Sequence, residues 1–272
     1  MLGIVKDLKA SGMKVKRIEE LFSISHSVIY YRKAGSRDRE LEDKIRDIAY
    51  KHPAYGYRRI WAKLRREGIE VNIKRVYRLY RDMGLQRMRK RKRMRRYKAS
   101  MGEAPVAERP GDVWTMDFFF TRTWNGVRVK VLMIMDEFTR VMKPPMVKRS
   151  ITSEDVVEHL EGIEKEHGKP RWIRCDNGSE FRGKAMQGYL ERKRVKVHYI
   201  EAGKPFQNGY GESVIGKFRD ECLVGYEYRD VKEAREKIEE WVRYYNEERP
   251  HSSLGYKTPK EYYEEWRERN GI

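Results

Sequence analysis

One apolar run, broken by a single acid, sets the terms for the C-terminal part of this chain. Val113-Trp114-Thr115-Met116-Asp117-Phe118-Phe119-Phe120 has the composition of a buried strand and carries Asp117 in its middle. Asn125-Gly126 follows as a hairpin turn. Val127–Met135 alternates and then becomes continuously apolar, as a central strand does, and Asp136-Glu137-Phe138-Thr139-Arg140 closes it. A third strand is predicted near 141–148, weakened by Pro144-Pro145. Thr152–His167 then reads as a helix, Trp172–Cys175 as a short strand, Ala185–Lys193 as a helix and Val195–Ile200 as a strand. Gly211–Leu223 and Val231–Glu247 are predicted helices, and Thr258-Pro259-Lys260-Glu261 is a capped start for a last one. Three strands in succession, then alternating helices and strands, predict an α/β fold: a mixed sheet flanked by helices.

Sheets of this kind collect ligands at strand ends. Asp176 follows Trp172-Ile173-Arg174-Cys175 and opens Asp176-Asn177-Gly178-Ser179. Glu212 lies in Gln207-Asn208-Gly209-Tyr210-Gly211-Glu212-Ser213, where a helix begins. Asp117 and Asp176 meet if their strands are neighbours, and Glu212 reaches them from its helix. Three carboxylates are hard oxygen donors suited to Mg²⁺ or Mn²⁺. Two such ions side by side serve phosphoryl transfer, activating an attacking oxygen and stabilising a leaving one. Asp136 is the main rival, and we read it as a strand-end or turn carboxylate. Glu180 is assigned to the loop-to-helix turn and His251 to packing. No Ser, Cys or His constellation suggests a covalent intermediate.

Charge divides the chain. Residues 1–110 hold 31 Lys and Arg against 13 Asp and Glu, a net of +18, whereas residues 111–272 hold 30 against 29, a net of +1. The basic part is thus a separate device, and its partner is expected to be a polyanion. Residues 14–33 have helix-turn-helix proportions, with Val15, Ile18 and Leu21 on one stripe and Val28, Ile29 and Tyr31 on the next. A second helical unit spans about 38–85. His52-Pro53 breaks it, Gly68 stops its middle helix, and Asn72 is the N-cap of Ile73–Tyr80. Ile60, Trp61 and Leu64 are expected to face inward, with Arg58, Arg59, Lys63 and Arg65 outward. Arg58, Arg59, Lys74, Arg75 and Arg78 are the candidate DNA contacts of this unit. Residues 87–98 are basic at nine of twelve positions and hold no acid. Arg89, Lys90, Arg91, Lys92, Arg93, Arg95 and Arg96 are its candidate phosphate contacts. Cys175 and Cys222 fall in apolar patterns and read as core thiols, not as a zinc or disulfide framework. No apolar run approaches a membrane span and no signal peptide is evident, so a cytoplasmic protein is expected.

At these residues the chain resembles the D-D-E transposases and retroviral integrases. Within them it is most similar to the second-reading-frame transposases of bacterial insertion sequences of the IS-three family. The segments that carry the likeness are Tyr55-Gly56-Tyr57-Arg58-Arg59-Ile60, Asn72–Leu79, Val113–Asp117, Cys175-Asp176-Asn177-Gly178-Ser179-Glu180-Phe181, Gly203–Gly209, Glu212-Ser213 with Lys217–Leu223, and Tyr245-Asn246 with Arg249–Tyr256. They run in the family's order from about residue 38 onward. The resemblance implies a ribonuclease H-like integrase core at 112–272 with C-terminal helices. Before it come a short helix-turn-helix-like segment at 1–37, a helical DNA-binding domain at 38–86 and a basic linker at 87–111. It implies a metal-dependent polynucleotidyl transferase that cuts and joins DNA, with Asp117, Asp176 and Glu212 as catalytic and metal-holding residues for two Mg²⁺ or Mn²⁺ ions. Asp117 would bridge both ions, Asp176 would hold one and Glu212 the other. Lys204, Gln207, Asn208 and Arg219 would touch DNA near them. The implied partners are element ends and target DNA, further copies of the chain gathered by DNA, and a first-reading-frame product; the implied location is the bacterial nucleoid when bound. Two rival readings remain: a ribonuclease H-like nuclease that cuts without joining, and a catalytically inactive DNA-binding regulator.

Overall fold

The computed structural model describes residues 11–22, 38–86, 105–200, 209–223 and 227–272. The chain divides into two compact units, Met1–Ile48 and Ala49–Ile272. In the first, α1 spans Val15–Phe22 and buries Ile18. Helix α2, Arg39–Lys51, begins in that unit and buries Ile45 and Ile48, three residues apart on one helical face. The second helix predicted within 14–33 lies outside the described residues.

The second unit opens with α3 (Tyr57–Arg66) and α4 (Ile73–Asp82). Gly68 has a positive φ of 78° in the turn between them. Asn72 caps α4 as its side chain accepts a hydrogen bond from the Lys74 amide at 2.8 Å. The Trp61 indole donates to the Val71 carbonyl at 2.8 Å and ties the turn to α3.

The sheet holds β1 (Val113–Arg122), β2 (Arg128–Asp136), β3 (Met146–Lys148), β4 (Trp172–Cys175) and β5 (Lys196–Tyr199), in the order β3-β2-β1-β4-β5. β1 pairs antiparallel with β2 and parallel with β4, and β4 pairs parallel with β5. Between them run α5 (Ser153–His167), the single turn α6 (Ser179–Arg182) and α7 (Lys184–Lys193). After β5 come α8 (Gly209–Phe218), a π-helical turn at Arg219–Leu223, α9 (Val231–Glu247), a short 3₁₀ turn at Ser252–Leu254 and α10 (Pro259–Asn270). Thr152 with Asp155 and Thr258 with Glu261 form reciprocal capping boxes that start α5 and α10.

The pleat divides the β1 side chains between two cores. Trp114 and Met116 join Leu132, Ile134 and Ile173 under Val156, Leu160 and Ile163 of α5 and Met186, Tyr189 and Leu190 of α7. Phe119 joins Val131, Met133 and Met135 under Val214, Ile215 and Phe218 of α8 and Ile238, Trp241 and Tyr245 of α9. The hairpin turn read at Asn125-Gly126 joins β1 to β2: Arg122 pairs with Arg128, and the Thr123 amide donates to the Val127 carbonyl at 3.0 Å. One expectation changes in detail. The third strand begins only after the prolines, since proline cannot donate to the ladder; before them Met142 makes one bridge to Met135. Among the described residues no helix is long and apolar enough to cross a membrane.

Candidate active site

The parallel pairing of β1 with β4 brings two of the three acids together. Thr115 lies opposite Arg174. Carried two residues past that last pair, and so one residue beyond the end of β4, the register sets Asp117 beside Asp176. Asp117 is half-buried and Asp176, one residue past β4, is exposed. Both press on one buried neighbour: the Cys175 thiol is pushed well up, first by burial and then by the negative charges of Asp176 and Asp117. That thiol is inert core, as its apolar pattern implies.

Asp176 is held by its own loop. Its Oδ1 accepts from the Gly178 amide at 2.9 Å, the Asx turn that short acids favour. A Cβ at Gly178 would stand 3.0 Å from that oxygen and 3.2 Å from Glu180 Oε2, so glycine keeps the loop closed on the carboxylate. The other Asp176 oxygen makes no hydrogen bond among the described residues, which leaves it to a cation. By strand alternation Asp117 shares the sheet face of Phe119, the face covered by α8. Phe119 and Phe218 hold α8 there, ring centroids 4.6 Å apart. Glu212 lies in the first turn of that helix, its side chain outside the described part of the structure. Among the described residues no three His, Cys, Asp or Glu side chains gather as a metal site. Two carboxylates level on adjacent strands, one with an oxygen to spare, fit a hard divalent cation.

The rival acids are occupied elsewhere. Asp136 is buried; its Oδ2 accepts from the Gly111 amide at 2.7 Å and its Oδ1 from the Thr139 amide at 2.8 Å and the Thr139 hydroxyl at 2.9 Å. It is a turn carboxylate. Glu180 is ion-paired with Lys130, whose ammonium also stands 4.1 Å from the Phe118 ring centroid. Burial alone would raise the Glu180 carboxyl, but hydrogen bonding to Lys130 holds it below its ordinary range. Phe118 belongs to the other sheet face, so the ammonium that holds Glu180 lies on that side.

The candidate DNA contacts separate. Arg58, Lys74, Arg75, Arg78 and Arg219 are exposed. Arg59 and Lys63 do not face outward as expected. Arg59 Nη1 meets Glu221 at 3.1 Å and Lys63 Nζ meets Glu248 at 3.4 Å, because α3 lies against the acidic C-terminal helices of its own unit. Arg66 likewise makes a two-pronged pair with Glu261. The plus-seven spacing of Arg219 from Glu212 reaches it only at the start of the π-helical turn. Residues 89–96, Lys204, Gln207 and Asn208 lie outside the described residues.

Sequence reasoning missed one cluster on this face. Arg249, only 1% exposed, grips Glu221 with Nε at 2.8 Å and Nη2 at 2.7 Å, and its Nη1 donates to His251 Nε2 at 3.4 Å. Burial pushes His251 down to about 2, helped by the charges of Arg249, Lys217 and Arg59, so the ring is neutral. The packing role expected for His251 agrees with its edge-on contact to Tyr245, centroids 4.6 Å apart. Nothing in local periodicity joins Glu221 to Arg59, 162 residues away.

Comparison with known proteins meets this geometry directly. An integrase core domain model matches residues 107–205 and a second integrase core domain model matches 193–259, so together they bracket both level carboxylates and α8. The insertion element IS407 uncharacterized 31.7 kDa protein of Burkholderia multivorans is 37% identical over 248 residues, 91% of this chain and 89% of that protein. The chain belongs to the integrase-core transposases of bacterial insertion sequences. An HTH-like domain model matches residues 36–93 of this transposase, the span that contains α2, α3 and α4. The insertion element IS476 uncharacterized 39.2 kDa protein of Xanthomonas euvesicatoria is 37% identical over 82% of the transposase; the match spans 64% of that longer relative. Transposase InsD for insertion element IS2A/D/F/H/I/K of Escherichia coli is 29% identical over 84% of this chain and 81% of its own length. The activity is that of a polynucleotidyl transferase, and neither a cut-only nuclease nor an inactive regulator is favoured.

Proposed function

We propose that this transposase cuts and joins DNA strands at divalent ions held by Asp117, Asp176 and Glu212. The observation that carries the reading is the register of β1 and β4, which puts Asp117 and Asp176 level on the face crossed by α8. Two Mg²⁺ or Mn²⁺ ions there would supply Lewis acidity toward the phosphate oxygens and lower the pKa of an attacking hydroxyl. Asp117 would help to hold both ions, Asp176 one and Glu212 the other. The Gly178 amide orients Asp176, and the apolar packing of Phe119 and Phe218 fixes the distance of α8 from the strands. No side-chain nucleophile is needed: the attacking oxygen is water in cleavage and a DNA 3′-hydroxyl in joining.

The rest of the chain is assigned to DNA. Residues 38–86 form the DNA-binding domain, with Arg58, Lys74, Arg75 and Arg78 exposed for phosphates. Residues 87–111 are a basic linker whose run at 87–98 follows the backbone, residues 1–37 a further helix-turn-helix-like segment, and the protein is cytoplasmic and nucleoid-associated. Asp117→Asn, Asp176→Asn and Glu212→Gln each keep side-chain size and remove a charged ligand. On a labelled duplex carrying candidate ends in Mg²⁺, each is expected to lose both cut and joined products while retaining DNA binding. Near-normal activity in any one of them ends the assignment.

Joining an element requires two ends at once, so a multimer is proposed, with a first-reading-frame product as a further partner. Residues 111–272 carry a net of only +1 and approach another copy without strong repulsion; residues 1–110, at +18, need DNA to neutralise them. Light scattering is expected to show mostly monomer without DNA and a multimer with paired ends. A stable multimer at low salt without DNA would reverse the order of assembly.

A further inference from the structure

A cavity of about 570 Å³ opens on the sheet face that carries Asp117. Its walls are α8, the turn after β2, the β4 residue Arg174, and the loop at 251–253. Lys217 and Ser213 enter from α8, Arg140 from the turn, and Ser252 and Ser253 from the loop. Volumes of this order hold small ligands, and this one has room for a phosphate with part of a nucleotide.

Its charge is one-sided. Lys217 is half-buried, yet its ammonium makes no hydrogen bond or ion pair among the described residues. Two acids near the ammonium are claimed: Glu221 by Arg249 and Arg59, and Glu137 by Arg174 at 3.1 Å. The wall residue His251 is neutral and cancels nothing. Burial, with the charges of Arg249 and Arg59, brings Lys217 down to about 8, which registers the missing counter-charge. Burying a cation without a partner is costly, and proteins keep such groups for function more readily than for stability. The hydroxyls of Ser213, Ser252 and Ser253 make no hydrogen bond among the described residues either, and all three are exposed to the opening.

Its position is also informative. Arg174 shares a strand face with Asp176 two residues on, about 7 Å along the strand. Ser213 follows Glu212, and Lys217 stands four residues, about 6 Å, further along α8 from Ser213. The cavity therefore begins where the proposed catalytic carboxylates end.

We propose that this cavity is a phosphate subsite, in which Lys217 and the hydroxyls of Ser213, Ser252 and Ser253 seat a DNA backbone phosphate neighbouring the one that is cut or joined. Lys217 acts as a point charge and the serines as neutral donors. The subsite rests on the catalytic reading above for which phosphate it holds, and on its own geometry for holding one.

The test uses the full chain and a fluorescent DNA duplex without divalent metal, so that binding is read apart from chemistry. Lys217→Met keeps the buried alkyl stem. It is expected to weaken binding severalfold and to reduce the slope of log K against log salt by about 1, while the thermal midpoint holds or rises. Lys217→Arg is expected to restore the slope. Replacing single phosphates near the 3′ end by uncharged methylphosphonates locates the contact: at one position the loss and the Lys217→Met loss are expected not to add. An unchanged slope in Lys217→Met, a fall in thermal midpoint with binding intact, or full additivity at every position overturns the subsite. If Asp117→Asn stays active while Lys217→Met behaves as expected, the catalytic reading fails and the anion site stands.

Discussion

The two faces of the sheet are built from the same strands by different rules. The face under α5 and α7 is closed by side chains such as Leu160, Met186 and Tyr189, and its charged pairs, Lys130 with Glu180 and Lys193 with Glu164, sit toward the rim. The face under α8 and α9 has an apolar centre of its own, yet carries Asp117, the Arg249–Glu221 pair, the Arg174–Glu137 pair and Lys217, which has no hydrogen-bond or ion-pair partner among the described residues. Buried charges add little net stability compared with apolar side chains of the same volume. The Asp117 face is the one we assign to catalysis and the other to support.

Amide exchange on each face is the strongest way to break this comparison. Asp117→Asn or Asp176→Asn is expected to lower strand transfer by more than about a hundredfold, since even residues that only orient metal ligands cost up to that much. Glu180→Gln, chemically the same change and only a few residues from Asp176, is expected to stay within about threefold, as single-turnover assays would show. Equal losses in all three would erase the distinction between the faces.

A smaller effect is expected in stability. Glu221→Gln leaves Arg249 buried with its fork unmatched and releases Arg59 from α3. Breaking one side of a buried pair costs about 3–5 kcal/mol, readable as a shift in urea midpoint at constant slope. Replacing Glu221 and Arg249 together by apolar residues is expected to recover much of that loss; failure to recover would mean the pair also organises the fold.

The smallest effect is in acid. His251 stays neutral in the folded chain down to about 2, and His52, lowered first by burial and then by Lys63 and Lys51, down to about 4. Unfolded histidine takes up its proton near 6.5. Their contribution is therefore intact above about pH 6.5 and falls as pH drops from there, through about 4 for His52 and further for His251. The slope for the buried His251 is about 1.4 kcal/mol per pH unit. His251→Asn is expected to flatten the fall in unfolding free energy between pH 6 and 4, in the same sense as His52→Asn; an unchanged slope would show that carboxylates alone govern it.

Much of the architecture was legible locally. Trp172–Cys175 and Val231–Glu247 occupy the predicted spans, because a short apolar run and a repeated apolar stripe are set by neighbours in sequence. Asn72, Thr152 and Thr258 cap helices for the same reason. Where reading failed, a distant partner decided. Arg59 and Lys63 have the helical spacing of exposed basic residues, but α3 lies against Glu221 and Glu248. The single turn α6 is too short for any period to announce. The subsite around Lys217 draws its walls from α8, β4 and two separate loops, and no segment alone contains it.

By itself, then, the sequence determined which segments become strands and helices, which residues are acidic at strand ends, and where the positive charge lies. These depend on side-chain period, capping and composition, all local. Tertiary structure alone decided that β4 lies beside β1 in parallel, so that Asp117 and Asp176 stand level, and that α8 covers the same face. Strand order and helix docking follow from burying apolar faces against elements far away in the chain, and a local pattern carries the wish to be buried but not the name of the partner.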